Sequence, residues 1–478
     1  MNIIEEIVRK RRQQIKSRGH EMGVKLPANR VLPLTPFGRD PFIICEIKKS
    51  SPSKGVIAGN TDAVSQAKKY ADMGIKSVSV LTESNYFSGS LKDLYSVKKA
   101  FPGLSILRKD FILDLEDVDV SYRAGADAVL LIASMHDAST LTRLYKRARS
   151  SGMDVLVEVH DRDDLKKTKA VRPAMTGFNS RDLSTFRIDP AVPVMLGAGV
   201  EWNTRMVFES GISSGEDAAF ALSSGFSGIL VGEAVMRDTA LIYELKNIFS
   251  RNIDFNTATF WKKLYSRKKN GKCFVKICGI TTEEDADNAA RLGADILGFV
   301  FADSPRRAQP ALLKKIRDLD ILKAAVVVLD RDHPSLPDEI KTFLDIGLLD
   351  VVQFHGKEKP EDCYGLAFPY YKAVRVKGLS DIDKPGRYRC PRVLVDTYTP
   401  GKAGGTGKRI PDELVMGIKE KHPLWLAGGV GPENVRDIVV RFKPELIDAS
   451  SLLESSPGKK DHGKLKKLFE EIKIGTAL

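Results

Sequence analysis

Short apolar runs recur along the chain, and each follows a segment of helical character that ends in a glycine. The pattern is clear at residues 73–81, 124–132, 224–231 and 292–301. Glycine after a helix supplies the left-handed C-cap, and a near-continuous apolar run is typical of a strand buried on both faces. The chain is therefore predicted to consist of repeated strand and helix units.

These runs predict sixteen strands, eight on each side of a polar segment. In the first half they lie at residues 42–48, 77–81, 104–108, 128–132, 155–158, 174–178, 206–209 and 228–231. In the second half they lie at residues 273–278, 296–301, 323–329, 351–354, 370–375, 393–396, 424–427 and 446–449. Eight such units in about 200 residues are the size of a (β/α)8 barrel. The predicted fold class is α/β, with two tandem (β/α)8 TIM barrels at residues 1–250 and 272–478 and a linker at 251–271.

Two doubly wound sheets would give the same alternation of strands and helices, but their chemistry gathers at one switch point per sheet. Here polar or charged side chains follow many different strands, and a barrel brings all of its strand ends to one mouth. This spread favours barrels. Residues 186–204 form the weakest stretch, and no helix is predicted there.

Composition narrows the class of protein. The chain has 478 residues, of which 42% are hydrophobic and 29% charged, as in ordinary soluble globular proteins. Its five cysteines form no C-x-x-C pair, which argues against a disulfide framework and favours a reducing compartment. The start lacks the apolar core of a signal peptide, and no apolar run approaches about 18 residues, so a cytoplasmic protein without a membrane span is expected.

The formal net charge of +13 bears on the partners of the protein. Basic residues are spread along the whole chain, without a basic tail or the aromatic platform that single-strand binders use. Small anionic substrates are therefore favoured over nucleic acid.

Charged and amide side chains stand at the ends of the predicted strands of the first half: Glu46, Lys48, Lys109, Glu158, Asn179, Arg181 and Glu209. Two lysines and an arginine among carboxylates could hold a polyanionic substrate and still transfer protons. Burial or crowding of a lysine is expected to lower its pKa and to make it an acid near neutrality. Each residue alone could form a strand-end ion pair, but their recurrence favours an active site.

Small residues follow the seventh and eighth predicted strands, in Glu209-Ser-Gly-Ile-Ser213 and Ile229-Leu-Val-Gly-Glu233. Barrels commonly bind phosphate at this position through backbone N–H groups. The segments predict a phosphate site, although tight turns alone could explain their glycines.

Six ordered motifs in residues 1–250 resemble indole-3-glycerol-phosphate synthase. They are Cys45-Glu-Ile-Lys-Lys-Ser-Ser-Pro-Ser-Lys-Gly55, Leu81-Thr-Glu-Ser-Asn-Tyr-Phe-Ser-Gly89, Arg108-Lys-Asp-Phe111, Leu156-Val-Glu158, Asn179-Ser-Arg-Asp-Leu183 and Glu209-Ser-Gly-Ile212. The resemblance implies an extra N-terminal helix over the barrel mouth. It also implies a reaction that closes an anilino-ketose phosphate into an indole, with loss of carbon dioxide and water.

The same resemblance implies roles for individual residues. Lys109 would be the acid that polarises the ketone, and Glu158 the acid or base of the later dehydration. Lys48 would contact the substrate carboxylate or share the acid role. Positioning would fall to Glu46, Asn179, Arg181 and Glu209, and the ligand and phosphate region would be lined by Ser51, Ser210, Gly211 and Gly232.

The sequence departs from this family in two places. Glu233 follows Gly232 where serine is also common, and a carboxylate facing a phosphate would repel it unless it turned away. Residues 166–175 lack the usual Gly-Ala before the sixth strand.

Cys278 ends the first predicted strand of the second half, in Val275-Lys-Ile-Cys-Gly-Ile-Thr281. For an isolated thiol, a buried structural cysteine is the simpler interpretation. Asp396, in Val393-Leu-Val-Asp-Thr397, changes that interpretation because it ends the sixth strand across the same mouth. A thiolate base that faces a carboxylic acid suits proton transfer at adjacent carbon and oxygen atoms.

Glycine and serine segments follow the last two strands of the second half. Leu426-Ala-Gly-Gly-Val430 and Asp448-Ala-Ser-Ser451 predict a second phosphate site of the barrel type. Gly404-Gly-Thr-Gly-Lys408 does not match a P-loop, because Lys402 and Arg409 stand where glycine and a hydroxyl residue are required. It is interpreted as a mobile loop over the mouth.

These motifs, with Gly298-Phe-Val-Phe301, Ser304-Pro-Arg306 and Gln353-Phe-His-Gly356, resemble phosphoribosylanthranilate isomerase over residues 272–474. The resemblance implies that Cys278 is the general base and Asp396 the general acid of an Amadori rearrangement, from an aminoaldose phosphate to an aminoketose phosphate. Arg306 would bind the anthranilate carboxylate. Other implied substrate-binding residues are His355, Gly428, Gly429, Asp448, Ser450 and Ser451. Residues 326–330 depart from the family's usual Gly-Val-Phe.

The isomerase product is the synthase substrate, so the two resemblances imply consecutive steps of tryptophan biosynthesis in one chain. No cofactor or metal is implied, because the chemistry needs only protons and the histidines lack paired ligand spacing. A monomer acting on small phosphorylated anthranilate-sugar substrates is expected. Two alternatives stay open: one barrel is inactive and serves as a scaffold or regulator, or the positive charge binds nucleic acid.

Overall fold

The computed structural model describes residues 3–51, 55–56, 61–250, 257–267, 273–330, 335–363, 365–397 and 409–477. The chain divides into two compact units, Met1–Phe255 and Asn256–Leu478. The loop predicted at residues 404–408, and much of the linker predicted at 251–271, lie outside the described residues.

The first unit contains a closed barrel of eight parallel strands. They are β1 (Ile43–Ile47), β2 (Ser77–Leu81), β3 (Ser105–Lys109), β4 (Ala128–Ile132), β5 (Asp154–Val159), β6 (Met175–Asn179), β7 (Arg205–Glu209) and β8 (Gly228–Val231). Closure comes from the pairing of β1 with both β2 and β8. All eight predicted strands are confirmed, with ends that agree within two residues.

Helices surround this barrel: α1 (Ile3–Arg18), α2 (Ala63–Asp72), α3 (Leu91–Ala100), α4 (Leu115–Arg123), α5 (Ala138–Ser150), α6 (Arg162–Val171), α7 (Ala191–Gly197), α8 (Gly215–Ser223), α9 (Glu233–Arg237) and α10 (Leu241–Ser250). Polar N-caps begin many of them, because a side-chain oxygen accepts a hydrogen bond from a backbone N–H of the first turn. These caps are Asp62, Ser90, Asp114, Asp137, Asp161 and Ser214.

The prediction of no helix at residues 186–204 is wrong, because α7 lies there. This helix has seven residues, contains Pro193 and has no side-chain N-cap. Its buried Ala191, Val194 and Leu196 show that packing against the barrel, rather than local sequence, stabilises it.

The alternation of side chains along β1 decides what enters the barrel. Ile43, Cys45 and Ile47 pack in the layer between the strands and the helices, whereas Ile44 belongs to the smaller cluster inside the barrel. Glu46 shares the face of Ile44 and is 3% exposed. The strand therefore delivers a carboxylate to the interior of the barrel mouth.

Helix α1 is the predicted extra N-terminal helix, and buried charges hold it against the barrel. Arg11 on this helix is 3% exposed and donates to Asp117 at 2.9 Å, beyond the end of β3. Ile4 and Ile7 line a cavity together with Lys48 and Phe111. The helix thus covers part of the barrel mouth.

The second unit contains another closed barrel of eight parallel strands. They are β9 (Phe274–Cys278), β10 (Ile296–Val300), β11 (Leu322–Val327), β12 (Val351–Phe354), β13 (Tyr370–Val376), β14 (Val393–Thr397), β15 (Trp425–Leu426) and β16 (Leu446–Ala449). The helices are α11 (Thr259–Arg267), α12 (Glu283–Leu292), α13 (Pro310–Lys315), α14 (Asp338–Asp345), α15 (Asp412–Lys421), α16 (Val435–Phe442) and α17 (His462–Ala477). The prediction of two tandem barrels is confirmed.

Helix α11 lies within the segment that the sequence predicted as a linker, and its aromatic face packs on the second barrel. Trp261 is 1% exposed, and its ring lies 5.6 Å from that of Trp425 on β15. Phe260 is fully buried, and its ring stacks 6.3 Å from that of Tyr371 on β13. This helix is therefore part of the core of the second unit.

Among the described residues, no helix has both the length and the apolar character needed to cross a membrane.

The burial of Trp261 predicts a large contribution of α11 to stability. Trp261→Ala should lower the free energy of unfolding of the second unit by about 3–5 kcal/mol, because it leaves a cavity beside Trp425. Lys262→Ala is the matched control, since Lys262 is an exposed neighbour on the same helix. Urea unfolding followed by hydrogen exchange of second-unit peptides would measure both effects. Equal stability of the two variants would contradict the packing role.

Candidate active sites

The centre of the first barrel mouth is a lysine held between two carboxylates. Lys109 ends β3, and its Nζ donates to Glu158 Oε2 at 2.6 Å and to Glu209 Oε2 at 2.8 Å. Glu158 lies on β5 and Glu209 ends β7, so barrel closure brings together residues 100 positions apart. Both glutamates are almost fully buried.

The electrostatics of this cluster differ from the sequence-based expectation. Burial lowers the pKa of Lys109, but the nearby Glu158, Glu209 and Glu46 outweigh that effect and raise it above the ordinary value. The prediction of a lowered lysine pKa is therefore wrong, because sequence shows the burial of a lysine but not the distance to its partners. Lys109 stays charged throughout the physiological pH range.

The pKa values of the two glutamates shift in opposite directions. Burial raises the pKa of Glu209 to about 8, and the neighbouring charge of Glu158 adds to the rise. Burial also acts on Glu158, but Lys109 and His160 outweigh it and hold its pKa well below the usual range. Burial thus favours the acid form of Glu209 against the opposing charge of Lys109, whereas Glu158 is held as a carboxylate, and this difference could supply an acid and a base side by side.

Glu46 and Lys48 form a second ion pair at the mouth, with 2.9 Å between Glu46 Oε1 and Lys48 Nζ. Gly232 leaves room for it, because a Cβ at that position would lie 2.7 Å from Glu46 Oε1. A side chain at the position after β8 would therefore displace the carboxylate of this ion pair.

A cavity of about 790 Å³ opens beside these groups. Its lining brings together predicted residues from several strand ends: Glu46, Lys48, Arg181, Ser210, Gly211 and Gly232. Asn179 stands deeper and donates from Nδ2 to Glu158 Oε1 at 3.2 Å. Ser51 lines the adjoining cavity under α1, together with Lys48 and Arg181.

The segment after β7 makes a tight turn of left-handed backbone. Ser210 and Gly211 both have positive φ, at 66° and 81°. A Cβ on Gly211 would lie 2.8 Å from Ile188, so glycine suits this position for space as well as conformation.

Glu233 lines the same cavity, at the position where the sequence raised concern about repulsion of a phosphate. Its Oε1 lies 2.8 Å from Nη2 of Arg237, one turn further along α9. The ion pair gives the carboxylate a cationic partner beside the cavity.

Sequence reasoning missed two residues of this site. His160 follows Glu158 by two positions, and its Nε2 lies 3.0 Å from Glu158 Oε1. Burial lowers the pKa of His160, but Asp164 and Glu158 outweigh it and raise the pKa to about 9. Gly177 on β6 is required because a Cβ there would lie 1.9 Å from Glu209 Oε1. Every second side chain of a strand lies on the same face, so the spacing of two residues from Glu158 could have identified His160. No feature of the sequence identifies Gly177.

In the second barrel, Cys278 ends β9 and its thiol is buried. Gly298 on β10 makes room for it, since a Cβ there would lie 2.8 Å from the Cys278 Sγ. Burial raises the pKa of Cys278, with Lys276 and Lys460 opposing the rise and Asp448 adding to it. The thiol is therefore the dominant form near neutral pH, although the sequence suggested a thiolate.

Asp396 is the penultimate residue of β14, and hydrogen bonds orient both of its oxygens. Oδ1 accepts from the backbone N–H of Thr397 at 2.7 Å, and Oδ2 lies 3.0 Å from His355 Nε2. Gly428 has φ 84°, and a Cβ there would lie 3.0 Å from Asp396 Oδ1. The structure thus brings together Asp396, His355 and Gly428.

The remaining predicted residues of the second site lie partly in loops after the strands and partly in the barrel interior. Nε and Nη2 of Arg306 donate to Glu454 at 2.8–3.1 Å, so a protein carboxylate already pairs with this guanidinium. Ser450 donates to the carbonyl of Cys278 at 3.0 Å, next to Ser451, which starts a short 3-10 turn. Gly429 has φ 65°. Asp448 faces inward and pairs with Lys276 in the barrel interior, away from the glycine and serine loops.

One group of side chains could in principle ligate a metal ion within the described part of the chain. His20, Asp114 and Asp117 place ligand atoms within 4.8 Å of one another. Protein groups already contact two of them: Asp117 accepts from Arg11, and Asp114 lies 2.9 Å from His20. The trio serves to attach the end of α1 to α4.

Comparisons with known proteins identify both halves. Residues 4–248 match the family model of indole-3-glycerol phosphate synthase, and residues 275–471 match that of N-(5'-phosphoribosyl)anthranilate (PRA) isomerase. A phosphoribosyl anthranilate isomerase structure from Thermotoga maritima is 33% identical, with a TM-score of 0.38, and covers 42% of this chain and 99% of its own.

Of two curated relatives, one matches both halves of the chain and the other matches about half of it. The multifunctional tryptophan biosynthesis protein of Schizosaccharomyces pombe is 33% identical over 91% of this chain and 59% of its own length. This chain thus spans about three fifths of the length of that relative. The indole-3-glycerol phosphate synthase of Exiguobacterium sibiricum is 38% identical over 50% of this chain and 93% of its own. The chain belongs to the indole-3-glycerol phosphate synthase family and carries a PRA isomerase domain as its second barrel.

Proposed function

We propose that this chain catalyses two consecutive steps of tryptophan biosynthesis. The second barrel would isomerise N-(5-phosphoribosyl)anthranilate to 1-(2-carboxyphenylamino)-1-deoxyribulose 5-phosphate, and the first would convert that product to indole-3-glycerol phosphate. The observation that carries the proposal is that each mouth holds the proton-transfer groups its step requires. Lys109 lies between Glu158 and Glu209 in one, and Cys278 and Asp396 end strands of the other.

In the isomerase step, Cys278 removes the proton from carbon 2 of the sugar while Asp396 gives a proton to the ring oxygen. The ring opens to an enolamine, which tautomerises to the ketone. Arg306 holds the anthranilate carboxylate after exchanging part of its contact with Glu454. Gly428, Gly429, Ser450 and Ser451 follow the last two strands, where barrels commonly hold phosphate.

In the synthase step, the charged Lys109 donates to the substrate ketone and stabilises the negative charge that develops on its oxygen. The aromatic carbon that bears the carboxylate attacks the polarised carbonyl carbon, and carbon dioxide then leaves. In the dehydration that forms the indole, Lys109 gives a proton to the departing hydroxyl, which leaves as water. Glu158, ionised in the resting site, takes a proton from the carbon next to the ring nitrogen. Lys48 contacts the substrate carboxylate, and Arg181, with the turn at Ser210 and Gly211, faces the phosphate.

We expect a cytoplasmic enzyme, because the five cysteines are all free thiols. A monomeric state is a further prediction, which size-exclusion chromatography with light scattering would measure.

Two substitutions should separate the two activities. Lys109→Ala should reduce indole formation by about 10²–10⁴-fold, because it removes the acid and the charge that holds Glu158 and Glu209 together. Cys278→Ala should reduce isomerisation by a similar factor. Each variant is the matched control for the other, and separate assays of the two steps measure both.

Two outcomes would contradict this assignment. If either substitution disabled both steps while the fold stayed intact, the two-site assignment would be wrong. If one substitution left both steps unchanged, that barrel would be a scaffold or regulator.

The raised pKa of Cys278 predicts the pH dependence of isomerisation. Because the thiolate is the base and burial favours the thiol, kcat/KM should rise about tenfold per pH unit up to at least about pH 8.5. Initial rates between pH 6.5 and 9 would measure the slope. A flat profile across that range would show that the thiolate is already formed, contrary to the effect of burial.

A further inference from the structure

The interior of the second barrel contains a row of polar side chains where apolar packing is usual. Lys276 on β9, Gln353 on β12 and Tyr371 on β13 are all fully buried. The row ends at the mouth, where His355 follows β12 and Asp396 is the penultimate residue of β14. Buried polar groups of this kind are retained only when each has a partner.

The members of the row from Tyr371 onward form a chain of hydrogen bonds. The Tyr371 hydroxyl donates to Gln353 Oε1 at 2.8 Å, and the charge of Lys276 acts on the same phenol. Gln353 Nε2 lies 2.8 Å from His355 Nδ1, and His355 Nε2 lies 3.0 Å from Asp396 Oδ2. One continuous path of hydrogen bonds therefore joins Tyr371 to the carboxylate.

The direction of every bond in this path follows from its tyrosine end. The Tyr371 hydroxyl donates to Gln353 Oε1, and the positive charge of Lys276 favours the phenol lone pairs rather than its proton on the side of the ammonium. The amide nitrogen of Gln353 then faces His355, and Nδ1 must accept. The single proton of a neutral imidazole is left on Nε2, which donates to Asp396.

The opposite direction is disfavoured by the charge of Lys276. If Gln353 donated to the Tyr371 oxygen, the hydroxyl proton would need another acceptor, and the ammonium of Lys276 has no lone pair to accept it. Asp448 keeps the ammonium in place, because its carboxylate pairs with Lys276 in the interior. Asp448 and Asp396 both lie near His355, and Lys276 pairs with the first of them.

We propose that Lys276, Tyr371 and Gln353 fix the tautomer of His355, so that its Nε2–H always points at Asp396. His355 is then a positioning residue that acts through Asp396, rather than only a substrate ligand. A donor at Oδ2 stabilises the carboxylate that remains when Asp396 gives its proton to the sugar ring oxygen. This function of the tautomer rests on the proposed isomerase activity, whereas the tautomer itself does not.

Nitrogen NMR of the full chain labelled with ¹⁵N-histidine tests the tautomer without any substrate. The chain has seven histidines, and His355→Asn identifies the signals of His355. We expect a protonated Nε2 and an unprotonated Nδ1 at neutral pH. A protonated Nδ1 with an unprotonated Nε2 would overturn the proposal.

Two variants test how the tautomer is fixed. Tyr371→Phe keeps the ring but removes the hydroxyl that orients Gln353, so both His355 tautomers should appear. Gln353→Glu puts an acceptor at Nδ1, so both ring nitrogens should become protonated. If both variants kept the wild-type signals, Gln353 and Tyr371 would not set the tautomer, and the proposal would fail.

Kinetics then test the consequence for catalysis. Tyr371→Phe should lower the isomerase kcat by about fivefold, on the order of one hydrogen bond, with little change in KM. The synthase step of the same variant is the internal control and should not change. Mixed tautomers with an unchanged kcat would overturn the role of His355 toward Asp396. An inactive wild-type isomerase with the expected NMR signals would instead overturn the proposed function and leave the tautomer assignment supported.

Discussion

Buried ammonium groups organise both barrels of this protein. A lysine inside a protein is tolerated only when carboxylates pair with it, because water no longer solvates the charge. Lys109 is held by Glu158 and Glu209 from across its barrel, and Lys276 is held by Asp448. Each lysine therefore dictates which strands must present acids on the inner face, and glycines such as Gly177 clear the space for them.

The two barrels place different chemistry on the same element. The first strand of each barrel projects alternate side chains inward and ends in polar groups at the mouth. In one barrel these are Glu46 and the following Lys48, which form an ion pair. In the other, Lys276 projects into the interior and Cys278 ends the strand, and the lysine opposes the effect of burial on the thiol. The first strand thus places an ion pair at the mouth of one barrel and a buried thiol in the other.

The fold could be predicted from the sequence because strands buried on both faces leave a strong local signal. That signal located all sixteen barrel strands, and the motifs at their ends located the groups that meet at each mouth. It failed for α7, a short helix stabilised by packing, and it gave no indication that Trp261 belongs to the core of the second unit.

The electrostatics of the sites were harder to predict, because they depend on distances across the barrel rather than along the chain. The sequence shows that Lys109 would be buried, but the opposing effect comes from Glu158 and Glu209, which are 49 and 100 positions away. The direction of the row from Lys276 to His355 likewise appears only when β9, β12 and β13 are brought side by side. Charge patterns on separate strands identify the members of such a cluster but not their protonation.

The protonation of the first site also bears on how it would accept the phosphorylated substrate proposed for it while containing so many acids. Lys109 with ionised Glu158 is neutral, as is Lys48 with Glu46, and a protonated Glu209 adds no charge. The nearby Arg181 then leaves the mouth electropositive. If Glu209 were ionised as well, the cluster would gain a negative charge and oppose any phosphate that entered. Burial, which favours the acid form of Glu209, therefore contributes to the charge of the mouth together with the basic residues.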